Sequence, residues 1–241
     1  MASFRLDWHD TFPEACRRGA VAVGNFDGAH RGHAALIAET VRQARVVGGP
    51  AVAMTFDPHP LALLRPDRPP EMLTTAADRA ACLLALGVDV VVTLVATPSL
   101  LELSAADFFA RVLLGRLEAR ALVEGTNFGF GRQREGDVTL LARLCRAADI
   151  PLRVVPPVTI DGVEVSSSRI RAELRRGDVA AAARLLGRPY RLRGRVIEGQ
   201  RRGRTIGYPT ANLGDVTTLV PAGGVYAVVA QTTDGTSHAG R

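Results

Sequence analysis

The chain has 241 residues, a net charge of +6 and 47% hydrophobic residues, enough for one large domain or one domain plus part of another. All 30 basic residues are arginines spread along the chain, with one local cluster at Arg201-Arg202-Arg204, so a general nucleic-acid surface is not expected. Cys16, Cys82 and Cys145 form no CxxC pair, Met1 to Trp8 has no apolar core of signal length, and no apolar run suits a bilayer span; a cytoplasmic protein without a zinc site is expected.

Residues 1–20 read as an irregular lead-in. Val21-Ala22-Val23 reads as a short buried strand, closed by Gly24 and the turn Asn25-Phe26-Asp27-Gly28. His30, Gly32 and His33 then open an apolar-periodic helix predicted over 32–45, which Gly48-Gly49-Pro50 breaks. Residues i and i+3 share a helix face, so both imidazoles can point at one ligand. A helix N-terminus suits phosphate, and Gly32 leaves room for a phosphate chain. A solvated cap or half a metal site are the alternatives, although metal helices usually space histidines i, i+4. Residues 51–56 predict a second strand, ending in the stiff turn Asp57-Pro58-His59-Pro60. Strand, helix, strand implies a parallel sheet with its site at the carboxyl ends, where His59 would face the crevice of His30 and His33.

Further on, a helix is predicted over 74–86, capped by Thr74 or Thr75 and stopped by Gly87, then a buried strand over 88–95. A helix over 104–117 would bury Phe108 and Phe109. A strand over 121–124 runs into Gly125-Thr126-Asn127-Phe128-Gly129-Phe130-Gly131. Its glycines permit close approach to a ligand, its phenylalanines suit a flat ring, and Asn127 suits a polar ring edge. A structural glycine loop with core aromatics is the alternative. A helix over 138–147 and a strand over 152–155 follow. Ser166-Ser167-Ser168 then opens a basic helix, either as a plain cap or as a phosphate site with Arg171 as its fork. A helix over 178–187 ends the first expected domain, 1–186. In the second, 187–241, strands are predicted over 190–196 and 226–231, around an Arg/Gly loop and Gly207-Tyr208-Pro209-Thr210-Ala211-Asn212-Leu213.

Several of these stretches carry a family resemblance. Residues 24–33, GNFDGAHRGH, resemble the HxGH signature of nucleotidylyltransferases in the form found in bacterial bifunctional riboflavin kinase/FAD synthetases, with Ala29 where valine is usual. TFDPHP at 55–60 is similar to a second family signature. Asn127, Phe128 and Phe130 match G-x-[ND]-F-x-F-G, and VSSSRIR at 165–171 resembles SSTxIR, with Ser168 for threonine. GYPTANL at 207–213 resembles the riboflavin kinase signature. The motifs stand in family order.

The resemblance implies an α/β, Rossmann-like nucleotidylyltransferase domain with a parallel sheet, followed by an incomplete antiparallel β-barrel of riboflavin kinase type. It implies the reaction FMN + ATP → FAD + pyrophosphate, with Mg²⁺. His30 and His33 would stabilise developing charge. Gly24, Phe26, Gly32, Ser167, Ser168 and Arg171 would meet ATP; Phe56, Asp57, His59, Asn127 and Phe128 would meet FMN. In the kinase module Gly203, Gly207, Thr210 and Asn212 would meet ATP, with Thr210 and Asn212 offering hard oxygens to Mg²⁺. The family's kinase base is a glutamate further along than Glu198, the last in this sequence, and residues 187–241 are too few to close the barrel. Either the sequence is a piece of a longer chain, or the second domain is incomplete and riboflavin phosphorylation is not expected of it. A Rossmann oxidoreductase is disfavoured, because no GxGxxG follows the first strand.

Overall fold

The structure, a computed structural model, describes residues 1–199 and 210–240; Gly203, Gly207 and the arginine cluster lie outside the described residues. The chain begins with strand β1 (Ala2–Leu6), β2 (Ala20–Val23), helix α1 (Arg31–Val47), β3 (Ala51–Asp57), the short α2 (Pro60–Leu64), α3 (Ala76–Ala85) and β4 (Val90–Val95). Helices α4 (Pro98–Leu101) and α5 (Ala105–Asp107) follow, the latter continuing as a π-helix over Phe108–Leu114. Then come β5 (Ala121–Gly125), the small pair β6 (Gly129–Phe130) and β7 (Gly136–Asp137), α6 (Val138–Ala147) and β8 (Leu152–Val155). The pair β9 (Thr159–Ile160) and β10 (Val163–Glu164) leads to α7 (Ser167–Arg175) and α8 (Val179–Leu186). The second part carries two antiparallel hairpins, β11 (Arg195–Ile197) with β12 (Asn212–Gly214), and β13 (Val228–Gln231) with β14 (Ser237–Gly240).

Six strands form one parallel sheet in the order β1-β4-β3-β2-β5-β8. The chain winds outward from β2 to β3 and β4, then crosses to the other side of β2 with β5 and β8. The winding reverses between β2 and β5, and in open α/β sheets the crevice outside the strands' carboxyl ends opens at such a point. Alternation along the strands builds two cores. Val21, Val23, Val52 and Met54 face Phe108, Phe109, Val112 and Leu113. Ala20, Ala22, Ala51 and Ala53 face Leu36 and Ile37 of α1 and Leu83 of α3, and their small side chains let those helices lie close.

Three expectations need correction. Residues 1–20 are not an irregular lead-in: β1 pairs with β4, and Trp8, Phe12 and Cys16 are buried in the core. Only alternate residues of β1 face inward, so Ser3 and Arg5 mask it in the sequence. The helix expected over 104–117 winds as a π-helix from Phe108 to Leu114, which turns the adjacent pairs Phe108-Phe109 and Val112-Leu113 inward together. The strand expected over 190–196 is only Arg195–Ile197; Tyr190 instead bonds its hydroxyl to the Leu219 carbonyl.

Beyond Val21 and Leu122 the β2–β5 ladder opens, and the Glu124 carboxyl takes its place, Oε1 accepting from the Val23 N–H at 2.9 Å. Glu124 is 1% exposed, and burial pushes its carboxyl well above the ordinary range, the Val23 N–H opposing. An acid with a raised folded pKa loses stability as pH rises past its unfolded value. Glu124→Gln keeps the acceptor without that penalty. Its advantage over the wild type in urea unfolding is expected to grow from pH 5 to pH 8. Glu124→Val strands the Val23 N–H and should cost about 1–3 kcal/mol.

Candidate active site

The β2–α1 loop lies at the carboxyl end of the central strand. Three of its residues have left-handed backbone, Phe26 (φ 47°), Gly28 (φ 84°) and Ala29 (φ 40°). Such a loop persists only where its surroundings fix it. Asp27, 1% exposed, does so: its carboxylate accepts from the N–H groups of Leu73 and Thr74 and the Thr74 hydroxyl, and pairs with Arg171. The Asp27 carbonyl accepts from Ser167 Oγ at 2.8 Å. Arg188, just past the Gly187 cap of α8, donates to the carbonyls of Gly28 (2.7 Å) and Ala29 (3.1 Å). Ser166, not its neighbours, caps α7; Ser168 is exposed.

His30 is the N-cap of α1, its Nδ1 accepting from the His33 N–H at 3.3 Å. Its ring stacks on His33 at 3.6 Å between centroids. A Cβ on Gly32 would come within 3.2 Å of the His30 ring, so glycine permits the stack. Phe26, 1% exposed, supports the His33 ring edge-on at 5.2 Å. His59 caps α2 in the same manner, Nδ1 accepting from the Leu61 N–H at 3.1 Å. Burial, then the guanidinium groups of Arg188 and Arg171, pushes His30 down to about 4. Burial pushes His59 down to about 4, Asp27 opposing and Arg171 and Arg79 adding. Burial, then His30, Arg188 and Arg79, holds His33 well below the imidazole range. With Nδ1 committed as acceptor, the neutral rings of His30 and His59 carry their proton on Nε2 as a donor.

This motif set on this sheet has known counterparts. A family model for FAD synthetase matches residues 12–169, and one for riboflavin kinase matches residues 186–240. The chain belongs to the bifunctional riboflavin kinase/FMN adenylyltransferase family. A relative of that name from Pseudomonas fluorescens is 39% identical over 221 residues, 91% of this chain and 70% of the relative. One from Escherichia coli K12 is 36% identical over 216 residues, 89% of this chain and 69% of the relative. A crystal structure of a "Macrolide-efflux Protein" from Streptococcus pneumoniae shares the fold at TM-score 0.84 and 32% identity, covering 98% of this chain and 82% of that one. Among the described residues here, no helix is long and apolar enough to cross a membrane.

The residues matched to the family's motifs fall into four groups. Gly24, Phe26, His30, Gly32, His33, Ser167 and Arg171 meet around the β2–α1 loop. Phe56, Asp57 and His59 stand at the end of β3; Asp57 pairs with Arg5 at 3.7 Å. Asn127 is exposed past β5, its carbonyl accepting from Arg134, and Phe128 stacks on Phe130 at 5.3 Å. Thr210 and Asn212 are exposed in the second part, Asn212 opening β12. Asp27, Arg79, Arg188 and Glu124 were missed as site residues. A lone acid in an apolar strand and an arginine one turn before Leu83 on a buried stripe were the legible signals.

A histidine with a lowered folded pKa contributes stability fully present above about 6.5 and lost as pH falls toward about 4. Acid also protonates the capping Nδ1 atoms. Stability should fall by about 1.4 kcal/mol per pH unit for each histidine inside that window. Urea unfolding from pH 7.5 to 5 tests this. The double variant His30→Asn/His59→Asn keeps cap acceptors and should flatten the slope; an unchanged slope would contradict the assignment.

Proposed function

We propose that this chain makes FAD by transferring AMP from ATP to FMN, with residues 1–186 as the adenylyltransferase domain and 187–241 as a partial riboflavin kinase domain. The observation that carries the reading is the stacked, neutral His30–His33 pair at the N-terminus of α1. FMN's phosphate is already an anionic nucleophile at neutral pH. Its oxygen attacks the α-phosphorus of ATP, the bond to the β,γ-unit breaks, and pyrophosphate leaves. No protein nucleophile is needed, so the protein's task is positioning and charge stabilisation. The Nε2–H of His30 and the α1 N-terminus donate to oxygens that gain charge. His33, backed by Phe26, is the second group.

Ser167, Ser168 and Arg171 are assigned to the β- and γ-phosphates. Ser167 bonds to the Asp27 carbonyl and Arg171 to its carboxylate, and each would take a phosphate by exchanging that partner. Gly24 and Gly32 allow the nucleotide close approach. Phe56, Asp57, His59, Asn127 and Phe128 are assigned to the flavin side.

Among the described residues no group of three or more His, Cys, Asp or Glu side chains is placed to hold a metal. Mg²⁺ would come with the nucleotide's phosphates and supply charge neutralisation there. In the second part Thr210 and Asn212 offer it hard oxygens.

The test is a product assay with Mg-ATP and either FMN or riboflavin. FAD from FMN is expected. His30→Ala should cut FAD formation about 10²–10³-fold, the effect of losing one such donor, while FMN affinity changes little. Equal losses of both would remove His30 from the chemistry.

A further inference from the structure

Arg79 is 1% exposed, on α3, and donates from Nη2 to the Phe56 carbonyl at 2.8 Å. Its Nε and Nη1 are buried without a hydrogen-bond partner, as is His33 Nδ1. The two carboxylates whose charge reaches Arg79 are Asp27 and Asp57. Each is committed elsewhere, Asp27 to Arg171 and Asp57 to Arg5. Among the described residues Arg79 makes no ion pair. A buried guanidinium with two idle donors is costly for a fold to keep, so a ligand that satisfies them accounts for its retention. Its bond to the Phe56 carbonyl holds it at the carboxyl end of β3, the end that runs into the turn with His59.

We propose that Arg79 is a phosphate-binding residue of this crevice, its unpartnered Nη1 donating to a phosphate oxygen of FMN or ATP. The position suits the junction where FMN's phosphate meets the α-phosphate. Arg171 already donates to the Glu71 carbonyl and pairs with Asp27, whereas Nε and Nη1 of Arg79 have no partner.

The proposal rests on the adenylyl-transfer reading. Wild type that makes no FAD sinks that reading; wild type that makes FAD while the variants below bind normally sinks only the Arg79 assignment. The variants are Arg79→Met, similar in reach without charge or donors, and Arg79→Lys, which keeps charge and loses the fork. Tm without ligand, and affinities for FMN, riboflavin and α,β-methylene-ATP, are measured for each. Arg79→Met is expected to keep the ligand-free Tm or raise it and to leave riboflavin binding unchanged. It should weaken FMN or the ATP analogue about 10- to 100-fold, with partial rescue in Arg79→Lys. Loss confined to FMN places Arg79 on the flavin phosphate; loss confined to the analogue places it on ATP. Unchanged affinities for both overturn the proposal. So does failure of both variants to fold, which makes Arg79 a structural residue.

Discussion

The buried carboxylate of Asp27 is the constraint on which the site depends. A charge removed from water must be met by donors, and here they come from Leu73, Thr74 and Arg171. Those donors belong to two parts of the chain, the segment before α3 and α7, and Asp27 itself to a third, the loop after β2. One side chain therefore makes the phosphate motif, the α3 lead-in and the serine–arginine element a single body. Thr74 could be spared for this because Thr75 caps α3. The left-handed Phe26, Gly28 and Ala29 are tolerable only in such a frame.

The same frame sorts the arginines by commitment. Arg171 answers Asp27, Arg5 answers Asp57 and Arg193 answers Asp78, while Arg188 holds the carbonyls of Gly28 and Ala29. In a chain with no lysine, cations near the crevice are geometric forks rather than mobile point charges. Positive charge is thus built into the walls while the imidazoles stay neutral. Arg188 follows directly from α8, so the start of the second part touches the loop that opens α1.

Much of the fold was legible because apolar periodicity and breakers agreed. Residues 138–147 and 152–155 are helix and strand as read, and Gly48 and Gly187 end their helices in left-handed caps. What escaped depended on partners distant in sequence. Strand β1 needs β4 to declare itself, and Ser3 and Arg5 face outward. The histidines were legible through their spacing and the serine–arginine element through its cap chemistry. Asp27 stood inside the quoted motif, yet its role needs Leu73, Thr74 and Arg171, which only the fold brings together. Glu124 and Arg79 hid because charge on an apolar stripe usually signals exposure, and here it signals burial, of Glu124 at the sheet's switch point and of Arg79 against the end of β3.

If His30 and His33 serve the adenylyl transfer as proposed, neutral histidines suit it better than cationic ones. A permanently charged imidazolium would bind the triphosphate before reaction as strongly as during it, and such uniform binding does not accelerate the chemical step. A neutral ring with its proton on Nε2 offers one directed hydrogen bond. As charge moves onto the α-phosphate oxygens and the leaving pyrophosphate, that bond strengthens, and so does the pull on the ring toward the protonated form. The low resting pKa of His30, set by burial and by Arg188 and Arg171, leaves room for that response. The N-cap geometry enforces it, since Nδ1 stays an acceptor only while the ring is neutral. The cap of α1 and the electrostatics of the site are therefore one device.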